Sequence, residues 1–336
     1  MNELTVRARQ IMERLAEEEG LPERERNLFG YTARFLRREE AGQPHPPEER
    51  RLMERGESCM ERLGRGRDPM SGGPLGADSR LGRDRLPVCF RYAAMAYRRA
   101  LEPPLEPLAC RLDPGAAEGA CTPAPQALGQ FTRQLNELLG YGKLPWFFGY
   151  AATAWLRQEG LLEKAEREGK TVFLPTRRGL DAGLTVREGG GETLCSREAQ
   201  RLLADRAGEI LSREAERWEA LLARLTPETC IRIPCGPEPL ALTRLLERFR
   251  AFLEVEEAAL LDAKRMNLWL AGRGLLEENA AAAGRRCWVP TEAGRALGIG
   301  CRQNHSVYWT VPAQQYLADH LREAALALRT GAPYRP

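Results

Sequence analysis

Lysine is nearly absent from this 336-residue chain: Lys143, Lys164, Lys170 and Lys264 are the only four among 50 basic residues, and the rest are arginine. Arginine suits phosphate forks and interface ion pairs better than lysine does, although a GC-rich genome chooses arginine codons in any case. Histidine is as scarce, with His45, His305 and His320 alone. None stands in a recognisable catalytic motif, so an enzyme reading has little support. The nine cysteines include no C-x-x-C pair, and the closest two are Cys230 and Cys235. That removes the usual close-pair zinc arrangement. Cys287, Cys301 and His305 could converge on a metal, but buried free thiols are the simpler expectation, and no metal or cofactor is expected.

Long apolar runs are missing too. No stretch of 18 apolar residues occurs and the amino terminus carries no apolar signal segment, which points to a cytoplasmic protein with reduced thiols and no membrane partner. Neither G-x-G-x-x-G nor a Walker-type loop is present, so the glycines are not a phosphate cradle. A net charge of +3 is too small to argue for nucleic acid by itself. Composition is otherwise that of a globular protein, 43% hydrophobic and 29% charged, and the length predicts two or three domains.

The first third reads as helical. Leu4, Ala8, Ile11 and Leu15 recur at helical spacing until Gly20-Leu21-Pro22. Leu28, Tyr31 and Phe35 form a second stripe, and Leu52, Cys59, Met60 and Leu63 a third, interrupted by Gly56. Charged residues crowd the opposite faces, as on solvated helices laced with ion pairs. Residues 64–125 then read as Gly- and Pro-rich loops holding one helix, about 86–102, with a linker over 103–125.

What dominates the remainder is a repetition. Trp155-Leu156-Arg157-Gln158-Glu159-Gly160-Leu161-Leu162-Glu163 returns as Trp269-Leu270-Ala271-Gly272-Arg273-Gly274-Leu275-Leu276-Glu277, an offset of 114. Pro175-Thr176-Arg177-Arg178-Gly179 returns as Pro290-Thr291-Glu292-Ala293-Gly294 at 115, and Ala199-Gln200 as Ala313-Gln314 at 114 again. Two compensating single-residue changes in turns are what loop variation between copies of one module produces. The copies span roughly 128–206 and 242–320. In each, an amphipathic helix (Leu128 to Leu139 in the first) precedes a second helix stopped by a glycine. A β-hairpin, a short helix capped at Thr176, a second hairpin and a long closing helix, Ser196 to about Leu225, follow. Helix, turn, helix and hairpin is the element order of a winged helix. The expected fold is therefore mainly α with small β-hairpins. A helical region over 1–63 and the loops of 64–125 precede winged-helix-like modules over 126–225 and 226–336.

The string W-L-x-x-x-G-L-L-E, then G-[KR] before an apolar pair and P-T-x-x-G-x-x-x-G, resembles a module of gut Firmicutes proteins. There a strand pair and an A-Q-containing helix follow as well. Asp68-Pro69-Met70-Ser71-Gly72-Gly73 and Arg85-Leu86-Pro87-Val88-Cys89-Phe90 look like that family's Gly-rich turn and its arginine-flanked Cys-Phe helix. The resemblance covers about 68–321. It implies the tandem architecture and carries over no activity and no site residue.

Three functions compete. The first is non-enzymatic nucleic-acid binding, DNA rather than RNA, by paired modules, in a regulatory or mobile-element setting. From Lys264 to Arg302 seven basic residues face three acidic ones, and from Arg157 to Arg187 seven face five, a modest local basic excess of the kind phosphate binding requires. Its candidate residues are Lys143, Lys164, Arg167, Lys170, Lys264, Arg265, Asn267, Arg273, Arg285, Arg286 and Arg302. The second is a protein-binding adaptor or inhibitor of a nucleic-acid-processing machine, docking through Trp146, Phe147 and Phe148. The third, an enzyme, would need a nucleophile with a base, a metal cluster or paired carboxylates in a cleft, and three histidines outside any recognisable motif give it little support. Trp155 and Trp269 themselves read as core anchors.

Overall fold

The structure, a computed structural model, describes residues 3–68, 73, 86–108, 110, 112–141, 147–167, 169–188, 191–280, 286–302 and 306–330. It begins with four helices, α1 (Glu3–Glu17), α2 (Glu23–Ala41), α3 (Arg50–Gly64) and α4 (Leu86–Leu101). The first repeat runs α5 (Pro114–Ala120), β1 (Gln126–Ala127), α6 (Leu128–Leu138), α7 (Phe147–Gln158), β2 (Leu162–Arg167), β3 (Lys170–Pro175), α8 (Arg177–Asp181), β4 (Leu184–Val186), β5 (Thr193–Cys195), α9 (Arg197–Asp205) and α10 (Ala207–Arg224). The second runs α11 (Pro227–Arg232), α12 (Leu242–Leu253), α13 (Ala263–Gly272), β6 (Leu276–Ala280), β7 (Arg286–Pro290), α14 (Glu292–Leu297), β8 (Ile299–Cys301), β9 (Val307–Trp309), α15 (Val311–Asp319) and α16 (Leu321–Thr330). The fold is mainly helical with small antiparallel sheets, and no helix among the described residues is long and apolar enough to cross a membrane.

Three expectations are corrected. The long closing helix is two helices in each repeat, parted at Arg206 and at His320, which stand 114 apart with ψ near zero (4° and 9°). The break lets two apolar sets be buried, Leu203 and Ala204 before it and Ala207, Ile210 and Leu211 after it. The stretch 103–125 is more than a linker, because Asp113 caps α5, its carboxylate accepting from the Ala116 N–H. On α3 the core stripe is Met53, Gly56, Met60 and Leu63, spaced three and four apart, and Leu52 lies 45% exposed off that face.

The chain divides into two compact units otherwise than at 63, 125 and 225. One unit joins Met1–Leu105 to Leu222–Ala324, and the other joins Glu106–Leu221 to Ala325–Pro336. Within the first, stacked rings hold the N-terminal helices together, Phe29 on Phe90 at 6.1 Å and Phe35 on Tyr97 at 4.1 Å. Charged pairs then tie these helices to the second repeat. Arg91 forms a two-pronged bond to Asp319 (2.7 Å each), Arg98 donates to the Asp319 carbonyl (3.2 Å), and Arg322 reaches Glu102 (2.7 Å). Tyr92 donates to Glu228 (2.6 Å). These partners lie more than a hundred residues apart in sequence, so no local pattern announces them.

At the centre of that contact His320, 2% exposed, stacks on Tyr316 at 4.0 Å and places Nε2 3.1 Å from Glu61 Oε1. Burial raises the Glu61 carboxyl, but the His320 hydrogen bond and the Arg65 and Arg98 guanidiniums outweigh it and hold the group well below the usual carboxylate range. Burial, and then Arg98, push the His320 imidazole below its ordinary value. A depressed carboxylate stabilises the fold at neutral pH and loses that contribution as pH falls through and below its unfolded range, and a depressed histidine acts with the same sign below its own unfolded value. Urea midpoints are therefore expected to fall below about pH 6.5, where the unfolded-state imidazole takes a proton, and further below about pH 4.5, where the unfolded-state carboxyl does. Across that lower range the fall should be shallower in Glu61→Gln. Equal slopes in the two proteins would contradict the assignment.

The two repeats match in detail. In the first, β1, β5 and β4 form a three-stranded sheet in that order, with Gln126 opposite Cys195 and Leu184 opposite the same residue. In the second, Leu240 bridges Trp309, which also faces Ile299. The compensating changes fall where turns were expected: Leu162 pairs with Pro175 but Leu276 with Pro290, one residue longer, and Ile299 to Trp309 is one residue shorter than Leu184 to Cys195.

Candidate nucleic-acid interface

The repeated string becomes a set of backbone locks. Gly160 and Gly274 end α7 and α13 at φ of 67° and 68°, a conformation that only glycine adopts cheaply. Behind them Leu161 N–H bonds the Leu156 carbonyl at 2.8 Å, and Leu275 N–H the Leu270 carbonyl at 3.0 Å, closing each helix in a Schellman turn. Thr176 donates its hydroxyl to the Gly160 carbonyl (2.6 Å) and accepts from Gly179 N–H (3.2 Å). Thr291 does the same between the Gly274 carbonyl (2.5 Å) and Gly294 N–H (3.1 Å). The threonine therefore fastens the hairpin's exit to the helix that precedes the hairpin, and its capping bond starts α8 or α14.

The paired Ala-Gln is a second lock. Gln200 is fully buried; its amide donates to the Cys195 (3.0 Å) and Ala124 (3.3 Å) carbonyls, and its oxygen accepts from Thr122 N–H (2.8 Å). Gln314 repeats this with the Trp309 and Glu238 carbonyls (2.9 Å each) and Gly236 N–H (3.0 Å). All three partners are again 114 apart, so the repeat begins some six residues before its recognisable sequence. A buried amide satisfied by three backbone groups fixes the entry of each module.

The tryptophans are core. Trp155 is 5% and Trp269 3% exposed. Trp155 Nε1 donates to Glu209 (3.1 Å), which Arg213 also grips (2.7 Å). In the second repeat the equivalent Glu323 takes Arg273 instead, and that guanidinium lies over the Trp269 and Tyr316 rings.

These contacts sort the candidate residues. Lys164 and Arg167 stand exposed on β2, alternating with exposed Glu163 and Glu166. Lys264 is exposed at the start of α13 and Arg302 after β8, with Arg302 above the Tyr308 ring at 5.9 Å. Arg265 is corrected: it is 5% exposed, its Nε 3.3 Å from Asp262, the residue that caps α13. Its helical position turns it into the module and away from solvent. Arg273 is likewise committed to Glu323, and Asn267 is only half exposed. The aromatic docking patch is also corrected. Phe147 and Phe148 are 2% and 0% exposed at the start of α7, where the Phe148 N–H bonds Asn136 Oδ1 (2.9 Å); they are apolar residues of a helix that packs on α6.

Lys143, Trp146, Arg285 and His305 lie outside the described residues, as do the side chains of Lys170 and Arg286. Of the proposed thiol group, Cys287 meets the Asn279 carbonyl and Cys301 that of Arg302. Among the described residues no cluster of three His, Cys, Asp or Glu could hold a metal. Five of the nine cysteines are buried, and burial raises the thiol pKa of Cys59, Cys195 and Cys230 to about 12, which leaves them unreactive.

Sequence reasoning passed over Arg177 and Arg178. They are exposed on α8 directly after the hairpin, and the second repeat has Glu292 and Ala293 there. That exchange within P-T-x-x-G was the signal available. Set against known proteins the chain finds no counterpart: no family model matches it, and no curated protein or solved structure is significantly similar.

Proposed function

We propose that this is a non-enzymatic DNA-binding protein built from two winged-helix-like modules, and that it grips the phosphate backbone chiefly through the first module. Helix pair, left-handed glycine stop and hairpin recur in order in both repeats, which supports the winged-helix reading. The observation that carries the binding mode is where the charge is exposed. α7 buries Phe147, Phe148, Ala151, Ala152, Trp155 and Leu156, and α13 buries Arg265, Met266, Trp269 and Leu270, so the second helix of each module has little left to offer base edges. Lys164 and Arg167 on the hairpin and Arg177 and Arg178 beside it are in solvent. Cations so placed position a protein on nucleic acid without reading sequence.

Fluorescence anisotropy on duplex DNA across a salt series tests this. Affinity is expected to fall steeply with salt. In a variant combining Lys164→Ala, Arg167→Ala, Arg177→Ala and Arg178→Ala the slope should drop by about 0.9 for each phosphate no longer neutralised. Retention of the full slope in that variant, or no binding to duplex at low salt, would overturn the proposal.

One observation favours the adaptor as the second reading. Leu138, Tyr150 and Leu180, on α6, α7 and α8 of the first repeat, are 41%, 38% and 53% exposed. Large apolar side chains in solvent are the raw material of a protein interface.

A further inference from the structure

The repeats differ beneath their tryptophans. In the first, a cavity of about 250 Å³ is lined by Trp155, Leu161, Leu202 and Ala182, with Arg178, Arg206 and Arg213 and the carboxylates Glu159 and Glu209 around it. In the second, Tyr316 stands for Leu202, Ala293 for Arg178, His320 for Arg206 and Ala327 for Arg213. Tyr316 is 7% exposed there, with Arg65 of α3 over its ring at 5.1 Å. One module thus fills the position with a phenol under a neighbouring helix. The other keeps it hollow and surrounds it with three guanidiniums whose places the copy gives to Ala293, His320 and Ala327, the copy's own Arg273 standing where the first repeat has Glu159.

We propose that the first repeat's cavity is a binding site for a small aryl oxyanion, a carboxylate or phosphate monoester carried on one ring. The volume is below the usual range for drug-sized ligands, which limits the body to about a single ring. The walls give that ring an apolar seat on Leu161 and Leu202 beside the buried Trp155 indole. The charged groups are already arranged: Arg213 is held by Glu159 (2.8 Å) and Glu209 (2.7 Å), and Arg206 by Glu209 (3.1 Å). Arg178 has no ion pair among the described residues, and Nη1 lies close over the Gly160 backbone at the cavity. Three guanidiniums against two carboxylates leave one positive charge for the ligand, and Arg178 supplies the planar fork that pairs with an oxyanion. Arg178 is shared with the proposed DNA contact, whereas the cavity itself requires no nucleic acid.

Calorimetric titration of the full chain with benzoate and with phenyl phosphate, at constant ionic strength, tests the site. Saturable one-to-one binding is expected. Leu202→Tyr installs the side chain the second repeat already accommodates at this position; it should keep the fold and weaken binding at least about tenfold, as should Arg178→Ala. DNA affinity in Leu202→Tyr should be unchanged, which separates this site from the hairpin contacts. Absence of saturable binding for both ligands, or a folded Leu202→Tyr that binds as well as the parent, would overturn the proposal. So would binding that a short single-stranded oligonucleotide shows equally in parent and Leu202→Tyr while neither aryl anion binds.

Discussion

Replacing Gly294 by alanine is expected to destabilise the protein by about 3 kcal/mol, at the upper end of what overpacking costs. A Cβ at that position runs into the Leu275 backbone carbonyl group. That carbonyl cannot step aside, because the same turn is held by Thr291 N–H on the Leu275 carbonyl (3.1 Å) and the Thr291 hydroxyl on the Gly274 carbonyl. Gly179→Ala should behave alike in the first repeat, where the Leu161 carbonyl occupies the place of the Cβ. Gly129→Ala is the control: nothing lies within 4 Å of its Cβ position on α6, and alanine is the better helix former by about 1 kcal/mol. Urea unfolding followed by circular dichroism should rank the variants in that order. Midpoints for Gly179→Ala and Gly294→Ala at or above that of Gly129→Ala would show that the glycine is not a packing requirement.

The second large effect is expected at the Arg91–Asp319 pair, whose side chains are 13% and 11% exposed. Removing one partner of a buried, two-pronged pair leaves the other charge without compensation and costs about 3–5 kcal/mol. Asp319→Leu should therefore unfold at markedly lower urea. Arg91→Met together with Asp319→Leu should recover much of the stability, because two apolar chains restore burial without an orphaned charge. The destabilisation should appear in the unit that holds α3, α4 and α15. A double variant no more stable than Asp319→Leu alone would mean that the pair does more than neutralise itself.

Much of each module was legible in the amino-acid order, because its requirements are local. A glycine stop, a threonine cap and a Pro-Thr-x-x-Gly turn each act over a few residues, and a duplicated chain states them twice. The one-residue shifts could even be assigned to hairpin turns. The parting at Arg206 and His320 was not legible, because both flanks have good helix formers and the turn serves the core on either side of it. Leu52 was misplaced for a related reason: Leu52 and Met53 both continue a helical stripe, and only the packed neighbours decide which one faces inward. Among the candidate site residues, Lys164, Arg167, Lys264 and Arg302 were placed in solvent, while Arg265, Phe147 and Phe148 went inside. Counting charge or aromatics along a segment does not say which way a helix is turned.

The doubled sequence by itself determined the repeat, the element order within it and the locks that close its turns, since each depends on residues close along the chain. Tertiary structure alone decided that the N-terminal helices share a compact unit with the second repeat. It also decided that the tryptophan-side position is filled by Tyr316 in one copy and left as a cavity in the other. Both outcomes rest on contacts such as Arg91 with Asp319 and Arg65 with Tyr316, whose partners are over two hundred residues apart. Their energies come from desolvation and fit, which exist only once the surfaces have met.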